Sequence, residues 1–146
     1  MSKLQTYKNH GRMEPMFHYF IVPVLLLNIA ASITYCVRHY AEHRHMAPWY
    51  IVMSVALFLL AGITRGYALK AQDRVIRLEE KLRIAALVSP SELVELDSLT
   101  MKQYIALRFA SNPELPDLAR RAIREKLDAK QIKQAIVAWR ADNDRI

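Results

Sequence analysis

Cysteine and glycine are scarce in this chain, and each scarcity removes a class of function. A single cysteine, Cys36, excludes an intrachain disulfide and cannot by itself furnish a thiolate metal site. The three glycines, Gly11, Gly62 and Gly66, are too scattered for a phosphate loop or a dinucleotide fingerprint, which need clustered glycines so that the backbone can approach phosphate. G-x-S-x-G and H-E-x-x-H are both absent, so the usual nucleophile elbow and zinc-helix signatures are missing. Strand-like alternation and internal repeats are missing too, which leaves an all-α reading. Charge is the most informative gap. Asp, Glu, Lys and Arg are absent from the 22 residues 16–37 and from the 19 residues 46–64.

Those two runs hold much of the 53% hydrophobic content, and each approaches the ~20 residues a helix needs to cross the hydrocarbon of a bilayer. The chain therefore reads as an N-terminal arm (1–15), a transmembrane hairpin (16–64, spans 16–37 and 46–64), a basic amphipathic stalk (65–87) and a small helical region (88–146). A basic start before an apolar run also resembles a signal peptide, but the run exceeds the ~7 to 15 residues of such a segment, which favours an uncleaved anchor.

Aromatic residues mark the expected membrane interfaces: Tyr19 and Tyr35 at the ends of the first span, Trp49 and Tyr50 at the start of the second, and Tyr67 beyond its exit. Pro23 falls in the first turns of span one, where a mild kink is expected. Asn28, Ser32 and Cys36 recur every four residues, a polar stripe that should face protein, with Ser54, Ala61 or Gly62 of span two as neighbours. Gly62 and Gly66 form a small-x-x-x-small pair that permits close helix packing, although Arg65 interrupts it. An uncharged amide points to packing rather than transport, because neither span carries a relay of ionisable groups. His39, His43 and His45 beside Glu42 bring a metal to mind, but they match no ligand signature, and interfacial solvation is the simpler reading.

Positive charge orients the hairpin. Lys3, Lys8 and Arg12 precede span one, Arg38 and Arg44 lie between the spans, and six basic residues occupy 65–87, so both termini are expected in the cytoplasm. Lys70, Arg74, Arg77, Lys81 and Arg83 would then face anionic lipid. From Trp49 to Leu87 the chain reads as one helix, which would extend ~58 Å and so pass well beyond a ~30 Å hydrocarbon core. Ala68, Ala71, Val75, Leu78, Leu82 and Ala85 step by three and four, a seam available to a partner or to the chain's own last helices. Asp73 with Arg77 and Glu79 with Arg83 are spaced four apart for surface ion pairs.

Residues 88–146 read as three to four helices. Ser89 with Glu92 and Thr100 with Gln103 have capping-box spacing, and the second of these helices should reach about Ala110. Asn112-Pro113 restarts the chain into a third helix. Asp128 caps a fourth, whose Ile132, Ala135, Ile136 and Trp139 share a face at helical spacing.

Four stretches together, Tyr7-Lys8-Asn9-His10, Gln72-Asp73-Arg74-Val75-Ile76-Arg77-Leu78-Glu79-Glu80, Leu107-Arg108-Phe109-Ala110-Ser111 and Ile132-Lys133-Gln134-Ala135-Ile136 with Trp139, resemble an uncharacterised family of small bacterial two-span membrane proteins with a helical cytoplasmic tail. The resemblance implies that topology and a bacterial inner membrane, and it implies no activity. The expected role is non-enzymatic: a scaffold or interaction module that meets anionic lipid and a protein partner or a second copy, with no cofactor and no small-molecule substrate. The alternative is a membrane-tethered nucleic-acid binder using the last two helices. Residues 88–146 carry ten basic and nine acidic residues, a balance that disfavours it despite the chain's net +7.

Overall fold

The structure is a computed structural model and describes residues 6–7 and 13–142. Most of the expected N-terminal arm, including three of the four residues of the stretch at 7–10, lies outside the described residues, as do residues 143–146. Among the described residues the fold is all-helical. A π-helical turn, Met16–Ile21, runs into α1 (Val22–His39), followed by α2 (Met46–Ala85), α3 (Pro90–Leu96), α4 (Met101–Leu107), α5 (Leu115–Arg124) and α6 (Ala129–Ala135). Two of these helical segments, Met16–His39 and Met46–Ala85, are long and apolar enough to cross a membrane. The chain divides between Leu69 and Lys70 into two compact units.

In the first unit, α1 and the N-terminal part of α2 leave most of their large apolar side chains exposed. The expected kink at Pro23 takes the form of the π-helical turn. Proline has no N–H and its ring excludes the carbonyl four residues back, so the preceding turn widens, and the Val22 N–H reaches Phe17 O, five residues earlier. Pro48 occupies the first turn of α2, where its missing N–H leaves no gap. Thr34 and Thr64 donate their hydroxyls to the carbonyls of Ala30 and Leu60 in their own helices, 2.8 Å each, so neither hydroxyl needs water.

The second unit has its own core. Ile84 of α2 joins Leu96, Leu99, Tyr104, Leu107, Phe109, Leu115 and Ile132, all buried. Three capping boxes start its short helices, at Ser89 with Glu92, Thr100 with Gln103 and Asp128 with Gln131. Each cap contributes about 1 kcal/mol, which matters for helices of seven residues that are not stable alone. Gln103 also closes the far end of α5: its buried amide donates to Ala122 O (3.1 Å) and Leu127 O (3.0 Å), two carbonyls at that terminus. Lys126 makes the turn that follows with φ 52°, the left-handed region usually left to glycine.

Two expected boundaries differ. α4 ends at Leu107 rather than near Ala110, and α6 ends at Ala135, because Ile136 turns to extended backbone (ψ 123°). The chain then lies beside residues 109–111 in a single antiparallel bridge, Ala110 to Trp139. Ser111 N donates to Ala138 O (3.1 Å) and Arg140 N to Phe109 O (2.8 Å). Glu114 fixes this turn by accepting from the backbone N–H groups of Ser111, Val137 and Ala138 at 3.0 to 3.3 Å. Trp139 therefore reaches the core from an extended segment and packs on Phe109 with ring centroids 5.1 Å apart and planes tilted by 35°, rather than continuing the face of α6.

Candidate functional site

The tail packs on one face of α2, and that face is not the aliphatic seam. Ile76, Glu80 and Ile84, four residues apart, are 6%, 4% and 1% exposed. Between the two isoleucines lies an ion-pair network. Glu80 Oε2 meets Arg83 Nη1 at 3.0 Å, and its other oxygen lies 3.6 Å from Arg140 Nη1. Arg83 also donates from Nε to Asn112 Oδ1 (2.7 Å) and from Nη2 to Ala110 O (2.6 Å), pinning α2 to the α4–α5 connection. Beside it, the buried Arg108 pairs with Asp142 at 3.0 Å and lies over the Phe109 ring, 4.6 Å from its centroid. These groups border a cleft of about 310 Å³. Burial pushes the Glu80 carboxyl up from its ordinary value, with Arg83 and Arg140 pulling the other way, and burial lowers Arg83. With each cation matched to a carboxylate or carbonyl, the cluster acts as a structural lock.

The opposite face of α2 is open. Val75, Leu78 and Leu82 are 53%, 60% and 65% exposed, and Ala71 and Ala85 on the same stripe are exposed as well. The seam is open to a partner or to the chain's own last helices, and the described tail covers none of Val75, Leu78 and Leu82. On the face the tail uses, Glu80 meets Arg83 and the tail's Arg140, while Arg108 and Asp142 of the tail match one another beside it.

In the first unit the polar stripe of α1 meets Ser54 of α2. The Ser54 hydroxyl lies 2.5 Å from Asn28 Oδ1, 2.7 Å from Tyr50 O and 2.7 Å from Ser32 Oγ. A hydroxyl has one proton, so Ser54 donates to one of the first two at a time while Ser32 supplies the hydrogen of the third contact. An open cleft of about 470 Å³, bordered by these residues and mostly apolar, carries no charged group. At the end of the hairpin, Tyr35 stacks on His39 (4.8 Å) and His43 (6.2 Å) and meets Tyr50 edge-on at 5.6 Å. His39 lies 3.5 Å from Glu42, and His45 accepts from Arg44 at 3.3 Å. Among the described residues no group of three or more His, Cys, Asp or Glu is placed to hold a metal ion.

Over its whole length, residues 1–146, the chain matches one protein family. The chain belongs to DUF6526, a family of unknown function. No curated protein and no solved structure matches it. DUF6526 agrees with the resemblance to an uncharacterised family and adds no catalytic or ligand assignment, so the roles of its residues must be argued from their surroundings.

Of the residues picked from the pattern, the structure joins Asn28 and Ser32 through Ser54 but gives Gly62 and Gly66 no close neighbour: a Cβ built on either meets nothing within 4 Å. Among the described residues no helix therefore packs closely on the glycine pair within the chain. Tyr19, Trp49, Tyr50 and Tyr67 are exposed and Tyr35 is partly stacked. The five basic residues expected to face lipid are divided. Lys70 and Arg74 are exposed, Arg77 lies 6.0 Å from the Tyr104 ring and Lys81 pairs with Asp97. Arg83 is a correction: its side chain is 12% exposed and turned into the domain, and it pairs with Glu80 rather than Glu79, because burial favours the partner that already faces inward. Pattern reading missed Glu80, Arg108, Arg140 and Asp142. The available signal was the Ile76, Glu80, Ile84 spacing, a charged residue set between two apolar ones on a single helix face.

Proposed function

We propose that this protein is a non-enzymatic, membrane-anchored interaction module of the bacterial inner membrane, with both termini cytoplasmic and its exposed α2 stripe as the working surface. The observation that carries the reading is the stripe itself. Three large aliphatic side chains stay open on a helix that buries Ile76, Glu80 and Ile84 on its opposite face, and a contiguous exposed apolar surface marks an interaction site. The anchor reading is supported by two helices of sufficient length and apolarity, by the exposed aliphatic surface of α1, and by hydroxyls satisfied within their own helices. Lys70 and Arg74, exposed at the start of the second unit, suit anionic headgroups at about 1 kcal/mol each. The charged cluster is consumed by structure, which supports a role without catalysis.

Crosslinking of the full-length protein in native membranes, followed by mass spectrometry, tests the reading. Reproducible crosslinks from α2 residues near 75–82 to one neighbour, whether another protein or another copy, are expected. Recovery of uncrosslinked monomer with no consistent neighbour would sink it.

A further inference from the structure

We infer that the α2 stripe is occupied by a second copy of this chain, packed in parallel, and this inference rests on the interaction-module reading above. Ala71, Val75, Leu78, Leu82 and Ala85 follow the 4-3-4-3 spacing of a coiled-coil seam, with Val75 and Leu82 at a and Leu78 at d. In the Val75–Leu78 layer a β-branched residue at a is joined to leucine at d, the combination that favours two strands, with Leu82 at the next a and Ala71 and Ala85 at the flanking d positions. The same register puts Glu80, which docks the tail, at position f, on the far side of the helix from the seam. One helix therefore serves two partners at once, its own tail on one face and a neighbour on the other.

Charge chooses the neighbour. Arg74 falls at g and Glu79 at e of the following heptad, five residues on, the pair that meets across a parallel two-stranded seam. Both are exposed, and among the described residues neither has an ion-pair partner within the chain. Two-fold symmetry makes the contact twice, Arg74 of each copy to Glu79 of the other. Lys81, the other g residue of the seam, is already paired with Asp97 and would face the neutral Ala86. An antiparallel pairing sets g against g and brings Arg74 to Lys81 of the second copy, two cations, while Glu79 gains none. Parallel order is also what two copies inserted with one topology impose. The seam is short for a coiled coil in solution, and confinement of both chains to one bilayer raises their effective concentration enough to use it.

The test uses the full-length protein in native membranes with Cys36→Ser as background. Leu78→Cys, at d, should form a disulfide dimer on mild oxidation, and Arg77→Cys, off the seam at c, should form roughly fivefold less or lower. Arg74→Glu combined with Leu78→Cys should lower the dimer yield at limiting expression roughly tenfold, since two attractive contacts become repulsive, and adding Glu79→Arg should restore it. Rescue by the double reversal is something a merely structural role for Arg74 would not produce. If Leu78→Cys gives no dimer but a photo-crosslinking residue at position 82 captures a different protein, the second copy is wrong and the interaction module stands. If a polarity-sensitive fluorophore at position 78 reports lipid and neither crosslink forms, both readings fall.

Discussion

Removing Arg83 should unfold the second unit while leaving α1 and the N-terminal part of α2 intact. The side chains of Arg83 and Glu80 are 12% and 5% exposed, so Arg83→Ala deletes one partner of a buried pair and leaves Glu80 with only Arg140, 3.6 Å away and itself half exposed. Stranding a buried charge in this way costs about 3–5 kcal/mol, which is as much as a core of this size supplies in total. The lost hydrogen bonds to Asn112 and Ala110 fall in the same direction. Hydrogen exchange on the full-length protein in micelles should therefore show α3 to α6 losing protection. The pH dependence carries a signature. Glu80 is already raised above the ordinary 4.5 by burial, and removing Arg83 takes away the largest influence lowering it, so its folded-state pKa rises further. A carboxyl raised on folding contributes stability that is full below 4.5 and lost as pH climbs through the folded value, so the variant should lie closest to wild type near pH 4.5 and furthest at neutral pH. Asp97 and Glu92, whose carboxyls are lowered, weaken both proteins alike on acidification and cancel in the comparison. Arg83→Met with Glu80→Leu should recover most of the loss, because an apolar pair of similar volume leaves no buried charge and Arg140, half exposed, can turn to solvent. An Arg83→Ala protein within about 1 kcal/mol of wild type at neutral pH would refute the lock and return Arg83 to the lipid surface.

Asn28→Ala should loosen the hairpin by about 0.6–2 kcal/mol, read as reduced energy transfer between probes on α1 and α2 in micelles, with Ser54→Ala no worse when the two are combined because they share a hydrogen bond. Phe109→Ala, at a fully buried site under Trp139, should cost about 3–5 kcal/mol and shift Trp139 fluorescence to longer wavelength. Lys126→Gly should stabilise the second unit by about 0.5 kcal/mol, since its φ of 52° suits glycine, and a loss on thermal denaturation would argue against that turn. Alkaline phosphatase fused after Arg83 should be inactive, and activity there would overturn the cytoplasmic orientation.

Helix starts were the most legible part of this fold. Ser89, Thr100 and Asp128 each carry a side chain that can accept from the backbone three residues on, with Glu or Gln placed to reciprocate, and each box forms. Helix ends were not. Ile136 and Trp139 continue the apolar spacing of α6 because both enter the same core, and spacing alone cannot tell a helix from an extended segment that arrives at that core by another route. Hydropathy does not reveal which face of α2 holds the tail. Val75, Leu78 and Leu82 outweigh a face containing Glu80 on any apolar scale, yet a buried charge matched by Arg83 and Arg140 is acceptable, and nothing in local sequence announces the match across 60 residues. The polar contact of α1 with Ser54 was legible because, in an apolar run, a lone amide has few places to go.

The return of residues 138–140 to residues 109–111 also orders the domain in time. Trp139 and Arg140 follow α3 to α6 in the chain, and Trp139 packs on the Phe109 ring while Arg140 bonds the Phe109 carbonyl and reaches Glu80 on α2. Until residues 139 and 140 leave the ribosome Phe109 lacks its cover and Glu80 lacks Arg140, so the contacts that finish the packing of α3 to α6 form only once those two residues have emerged. A nascent chain stalled before residue 139 should therefore present the α2 seam with no finished domain behind it.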